Sequence, residues 1–242
     1  MKCLFVCLLI VTVTAAPAVA QPFQLGAELQ EGATFDERNL PPERITGWYE
    51  IPDWLAGTTV RTKVSSILGL SFKSVRERTR GYQLDAQGGI WSPCLPFKYD
   101  IDHRTTIDHA FIATEEVLDS RPDRVIVRLD GILIRERKSD HKIISTTQSD
   151  ETHVFRPGPN NTINASCSIG HYYDSKGKHL YDSQIKATYT EHLIATFKPI
   201  DQDDRHNYRR SFIAYLRNTG LRKLIPDDQP RSVWDDIQDQ GR

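Results

Sequence analysis

Residues 181–197 read YDSQIKATYTEHLIATF. Tyr181, Ile185, Ala187, Tyr189, Leu193, Ala195 and Phe197 fall on odd positions, while Asp182, Gln184, Lys186, Thr188, Thr190, His192, Thr196 and the following Lys198 fall on even ones. Side chains on a strand alternate between two faces, so this period of two gives one apolar and one wet face, as in a half-buried antiparallel strand. The stretch is longer than a usual strand, so the sequence predicts either a bend near Thr190-Glu191 or a long curved barrel strand.

The same pattern extends upstream. Ile163, Ala165, Cys167 and Ile169 alternate with Asn164, Ser166, Ser168 and Gly170, and Asp174-Ser175-Lys176-Gly177-Lys178 supplies turn residues before the next strand, which predicts a hairpin. Segments 123–137 and 142–156 form a second expected pair, joined across Lys138-Ser139-Asp140, with Gly131 marking a bulge. Segments 57–65, 72–84 and 106–118 are earlier candidates. The sequence thus predicts a mainly β fold, an antiparallel meander of about eight strands over 47–200 that closes into a barrel, with a sandwich as the alternative.

Two helical elements are expected beside it. Trp48, Ile51, Trp54 and Leu55 recur within Thr46–Gly57 at spacings that suit a short helical turn interrupted at Pro52, one that would plug an end of the core. Residues 202–219 place Phe212, Tyr215, Leu216 and Thr219 on one stripe with Gly220 beyond, which predicts a C-terminal helix within 201–220 packed on the barrel. Residues 21–46 carry Pro22, Pro41 and Pro42 without a sustained period and read as an extended lead-in; 221–242, rich in Asp and Gln, reads as a flexible tail.

Residues 1–20 carry one charge, Lys2, before an apolar run and the small-residue stretch ending Ala18-Val19-Ala20, the pattern of a cleaved secretory signal. An uncleaved anchor is the alternative, and either sends the rest of the chain across a membrane. The expectation is a secreted or periplasmic protein with no integral span after cleavage. With 31 Lys+Arg against 32 Asp+Glu, the balance offers no overall attraction for nucleic acid. Beyond the signal, Cys94 and Cys167 remain, and an oxidising compartment predicts one disulfide between them.

A Leu-x-Gly strand opening at Leu55-Ala56-Gly57, a helical turn before it, the meander and the C-terminal helix together resemble the lipocalin or calycin superfamily. The tryptophan that those families place two residues after the glycine is Thr59 here, with Gly47-Trp48 a loose echo. The resemblance implies a lipocalin-like cup for a small apolar or amphipathic ligand; it carries no family binding residues onto this chain.

Three functions follow as expectations. The first is a barrel that binds such a ligand without transforming it, with Tyr181, Ile185, Ala187 and Tyr189 as wall and Trp48 or Trp54 near an end. The second is an envelope protein docking on an acidic partner through Arg76, Arg78 and Arg80 and through Arg135 and Arg137, each set at period two on one strand face, against a reading of these faces as solvated. The third is an enzyme of unrecognised type with His171, His179 or His103 as acid or base. No cofactor or metal site is expected: on a continuous strand His103 and His109 would stand about 20 Å apart, and His171 and His179 read first as a polar hairpin tip. Motifs such as Gly-x-Ser-x-Gly and His-Glu-x-x-His do not occur in the sequence.

Overall fold

The computed structural model describes residues 23–66, 71–183 and 185–227. The signal expected over 1–20 lies outside these residues, as does the tail beyond Asp227. The described chain forms β1 (Gly47–Ile51), β2 (Gly57–Ser66), β3 (Ser71–Arg80), β4 (Gln83–Leu84), β5 (Ile90–Cys94), β6 (Phe97–Asp102), β7 (Thr106–Arg121), β8 (Arg124–Arg137), β9 (Lys142–Pro157), β10 (Thr162–Asp174), β11 (His179–Asp182), β12 (Lys186–Thr196) and helix α1 (Tyr208–Asn218).

Strands β6 to β10 make an antiparallel meander, each bonded to the next. The tight β9–β10 connection passes through Asn160 and Asn161, both at positive φ, a conformation that asparagine tolerates well. Strands β12 and β11 then share the free edge of β10: β12 pairs with Thr162–Ser168 and β11 with His171–Tyr173. The stretch 181–197 is therefore two strands, β11 ending at Asp182 and β12 beginning at Lys186. Beside Thr190-Glu191 the β2–β12 register shifts, at the place where a bend is expected. The β2–β3 hairpin adds outside β12, giving the order β3-β2-β12-β10-β9-β8-β7-β6. Gly57 opens β2 at φ +120°, where an added Cβ would lie 2.4 Å from the Ala195 carbonyl oxygen, so the register against β12 requires glycine there.

The sheet curls into a half-barrel, and the expected closure does not occur. Its terminal strands β3 and β6 are not hydrogen-bonded to each other. A second, three-stranded sheet, β1-β5-β4, packs into the curl instead, with Tyr49, Ile51 and Ile90 in one core with Val125, Val127, Leu129, Phe155 and Ile163 of the large sheet. The helical turn expected over Thr46–Gly57 is largely strand: Gly47–Ile51 pairs with β5, and a single 3-10 turn, Asp53–Leu55, follows Pro52. Trp48, Tyr49 and Ile51 are strand formers whose alternation suits a two-sided strand, and Pro52 ends it.

The other face of the small sheet holds the helix. Trp48 and Trp91 pack with Tyr208, Phe212 and Leu216, with ring centroids 5.0 Å apart for Trp48–Phe212 and 5.6 Å for Trp91–Phe212. Asn207 caps α1 by accepting from the Arg210 N–H. Leu224 and Ile225 pack on this cluster too, so the start of the expected tail is anchored.

The expected disulfide is absent: Cys94 on β5 and Cys167 on β10 are both free thiols. Each packs against the main core, and the Cys167 thiol is turned toward Glu151, donating to its Oε2 at 3.6 Å. Burial pushes the Cys94 thiol up to about 12.

A further core lies elsewhere. Phe111, Ile132, Ile134 and Ile143 form a separate cluster covered by Leu25 and Leu29 of the lead-in. Along β8 the buried residues change phase, Val125, Val127 and Leu129 serving the first core and Ile132 and Ile134 the second. The register irregularity expected at Gly131 falls opposite it, at Ala113 on β7. The lead-in is thus the cover of this cluster, fixed by Gln148, whose side chain accepts from the Phe23 N–H and donates to its carbonyl. Truncating Leu29 to alanine should cost about 2–5 kcal/mol in urea unfolding. A change below about 0.5 kcal/mol would mean the lead-in does not bury that surface.

Candidate ligand-binding site

Arg76, Arg78 and Arg80 share a face of β3, as their spacing predicts, but that face is the inner one. The expected solvent-facing cationic surface is therefore corrected: Arg80 is 2% exposed, and Arg76 and Arg78 are partly buried. An arginine buried this deeply needs a carboxylate. Arg80 finds Glu191 on β12, with Nη1–Oε2 at 2.6 Å and Nη2–Oε1 at 3.2 Å, and the Thr59 hydroxyl donates to the same carboxylate at 2.8 Å. Burial alone would raise the Glu191 pKa; Arg80 and Thr59 outweigh it and hold the carboxyl at about 2.

Arg78 reaches across the open side of the half-barrel to Glu115 on β7, its Nη2 lying 2.8 and 2.9 Å from the two carboxylate oxygens, and the Tyr49 hydroxyl donates to Glu115 at 3.0 Å. Side chains thus bridge the gap that the backbone leaves. Arg61, on β2, is 9% exposed and lies 4.7 Å over the Tyr189 ring.

Arg76 differs from its neighbours. Its guanidinium lies 3.5 Å over the Tyr99 ring and 5.6 Å from Phe97, both on β6. Among the described residues no carboxylate lies within ion-pair distance of it. Burial depresses its pKa, Tyr99 opposes this, and the neighbouring charges of Arg61 and Arg78 depress it further. The result is a partly buried cation with no carboxylate in direct contact, held on an aromatic face, with Glu151 acting on it only at longer range.

Between the unpaired edges of β3 and β6 runs a cleft of about 420 Å³. Arg76, Arg78, Tyr82, Leu95, Phe97, Tyr99 and Glu115 are among the residues that line it. A second depression, of about 570 Å³, lies on the outer side of β2, β12, β10 and β9; its lining of Thr62, Asn164, Ser166, Thr188 and His192 is solvated and polar. The first cleft combines cations and aromatic rings.

Other residues expected at a site are placed as follows. Ala187 and Tyr189 face the interior, with the Tyr189 hydroxyl 2.8 Å from His153 Nδ1. Tyr181 and Ile185 are 55% and 47% exposed, with the Tyr181 ring packed on Tyr172 of β10 at 4.9 Å between centroids. Trp48 lies under the helix on the face of β1 away from the interior, and the Trp54 indole donates to the Pro122 carbonyl. Arg135 and Arg137 are exposed at the far end of β8, paired with Asp108 and Asp140.

The histidines divide. The chain turns at 103–105, so Asp100 stands opposite His109, which contacts both Asp100 and Glu136, while His103 pairs with Asp108. His171 and His179 do approach across the hairpin, with ring centroids 6.0 Å apart and Asp182 between them, on an exposed surface. Sequence reading passed over Glu115, Glu191 and His153. The signal for Glu191 was an acid in phase with the apolar positions of 181–197.

No family model, curated protein or solved structure matches the chain.

The Glu191 carboxyl is more acidic folded than unfolded, so its contribution is complete above about pH 4.5 and is lost as the pH falls toward 2. That loss should be on the order of 3 kcal/mol in urea midpoints followed from pH 6 to 2. Glu191→Gln should flatten the profile over that window, and an unchanged slope would remove Glu191 from the account. Replacing Arg80 by Met alone should destabilise by about 3–5 kcal/mol, and adding Glu191→Leu should restore much of it.

Proposed function

We propose that the half-barrel binds a small amphipathic ligand with an anionic head group, taken in through the cleft between β3 and β6 and held without chemical change. The observation that carries this reading is Arg76, a partly buried guanidinium with no carboxylate in direct contact, lining an aromatic-walled cleft. A carboxylate, sulfonate or phosphate would supply the missing charge through paired N–H donors. Phe97, Tyr99, Tyr82 and Leu95 offer apolar surface for the body of the ligand, and about 420 Å³ falls within the range of small-molecule sites. The export segment read at residues 1–20 would place such a binder outside the cytoplasm. The lipocalin-like layout agrees with this role, although the ligand here would enter through the open side of the sheet. Docking through Arg76, Arg78 and Arg80 is the weaker alternative, because those guanidinium groups are turned inward.

Titration calorimetry with dodecanoate and with dodecyltrimethylammonium tests the reading. The anion should bind wild-type protein and the cation should not. Arg76→Gln should weaken dodecanoate about 10- to 100-fold while circular dichroism and melting stay unchanged. Substituting Arg137, exposed at the far end of β8, by Gln should leave binding intact. Equal binding of both amphiphiles, or an Arg76→Gln protein that binds dodecanoate as wild type does, would defeat the proposal.

A further inference from the structure

Deeper inside, β9 and β10 present a second arrangement that does not depend on the cleft. Glu151 and His153 are two residues apart on β9 and so share its inner face. Cys167 on β10 is the direct cross-strand partner of His153. Three different donors thus converge from two neighbouring strands: His153 Nε2 lies 3.0 Å from Glu151 Oε2, Cys167 Sγ lies 3.6 Å from the same oxygen, and all three donor atoms fall within 4.8 Å of one another.

We infer that Glu151, His153 and Cys167 form a zinc site with one open coordination position. Metal–ligand lengths of about 2.0–2.1 Å to nitrogen, 2.0–2.2 Å to oxygen and 2.3 Å to sulfur set the donor-to-donor edges of a tetrahedral zinc centre at about 3.3–3.6 Å. The 3.0 and 3.6 Å edges to Glu151 need a shift of only a few tenths of an ångström, while the His153–Cys167 edge, within 4.8 Å, is the one that metal entry has to draw in. The donor set is selective: a thiolate disfavours magnesium and calcium, and a mixed sulfur, nitrogen and oxygen set suits zinc.

The surroundings support the same assignment. His153 is 6% exposed, and its Nδ1 meets the Tyr189 hydroxyl at 2.8 Å. Neutral imidazole binding metal through Nε2 carries its hydrogen on Nδ1, where the Tyr189 oxygen accepts it, an arrangement that fixes the ring. The residue opposite Cys167 on its other flank is Ala187, a short side chain. Glu151 and the Cys167 thiolate together balance a divalent charge, the thiol proton leaving to solvent as the metal enters. Burial and the adjacent Glu151 carboxylate raise the Cys167 pKa and Arg61 and Arg76 only partly oppose them, so the entering metal itself has to displace the thiol proton. The three protein ligands leave a fourth position for water or an anion, which marks an open rather than a structural centre.

The test uses the full chain with Cys3, Cys7 and Cys94 changed to serine, so that Cys167 is the sole thiol. Metal-free protein is loaded with Zn²⁺ or Co²⁺ both by dialysis and by refolding in the presence of the ion. One equivalent of zinc should be retained, Co²⁺ should give a thiolate-to-cobalt charge-transfer band with tetrahedral d–d absorption, and Zn²⁺ should protect Cys167 from iodoacetamide. Cys167→Ser or His153→Gln should weaken zinc by at least about 100-fold. Should either variant fail to fold, the cobalt spectrum of the single-thiol protein decides alone. Absence of the charge-transfer band after both loading routes, or alkylation of Cys167 at the same rate with and without zinc, would overturn the site. Dodecanoate affinity measured on the same zinc-free protein separates this outcome from that of the cleft.

Discussion

A guanidinium buried away from water must be given a carboxylate, and in this fold Arg80 is given Glu191. That single pairing ties β3, the outermost strand on one side, to β12, which is two places inward and more than 100 residues later in the chain. Thr59 on the intervening β2 donates to the same carboxylate, so three adjacent strands are locked by one cluster. Once Arg80 is fixed, strand periodicity places Arg78 and Arg76 on the same inner face. Arg78 then reaches Glu115 across the opening, and Arg76 comes to rest on Tyr99. The cationic interior and its approach follow from where one arginine had to go.

A sheet whose inner face carries this much charge differs from an oil-filled barrel. The terminal strands leave a cleft and meet through Arg76 and Arg78 over the rings of Phe97 and Tyr99, and the three-stranded sheet supplies the apolar surface that direct closure would have provided. Unpaired edges invite association with other strands; Glu77 and Lys98, charged residues on β3 and β6, discourage it.

Much of the architecture was legible because period two is a strong signal wherever one face is wet. The boundaries of β2, β8 and β9 agree with the expected segments within about two residues, and α1 lies inside its expected range. The misreadings share a physical cause. Alternation says that two faces differ without saying which is inside, so Arg76, Arg78 and Arg80 were read as outward on the ordinary preference of arginine for solvent. The stretch 181–197 was read as one strand because an alternating pattern does not show that one strand ends at Asp182 and the next begins at Lys186. Trp48 and Ile51 looked helical through spacing alone, although both are strand formers. Glu151, His153 and Cys167 sit 16 positions or fewer apart, yet their convergence depends on the β9–β10 register, which the sequence specified only through a two-asparagine turn.

The position of the β2–β3 hairpin has a consequence for how the chain assembles. Gly57 pairs with Thr196 and Val60 with His192, so the early hairpin cannot dock until the last strand of the sheet exists. The meander from β6 to β10 contains only neighbour pairings and can zip up locally as it emerges. The hairpin must wait, with the outer edge of β2 and the Arg80 guanidinium seeking partners that arrive more than 100 residues later. Such high contact order makes the final docking slow and exposes the waiting hairpin to association with other chains. A host producing this protein therefore has to shelter its N-terminal third for longer than the rest, whether by chaperone binding or by the pace of delivery.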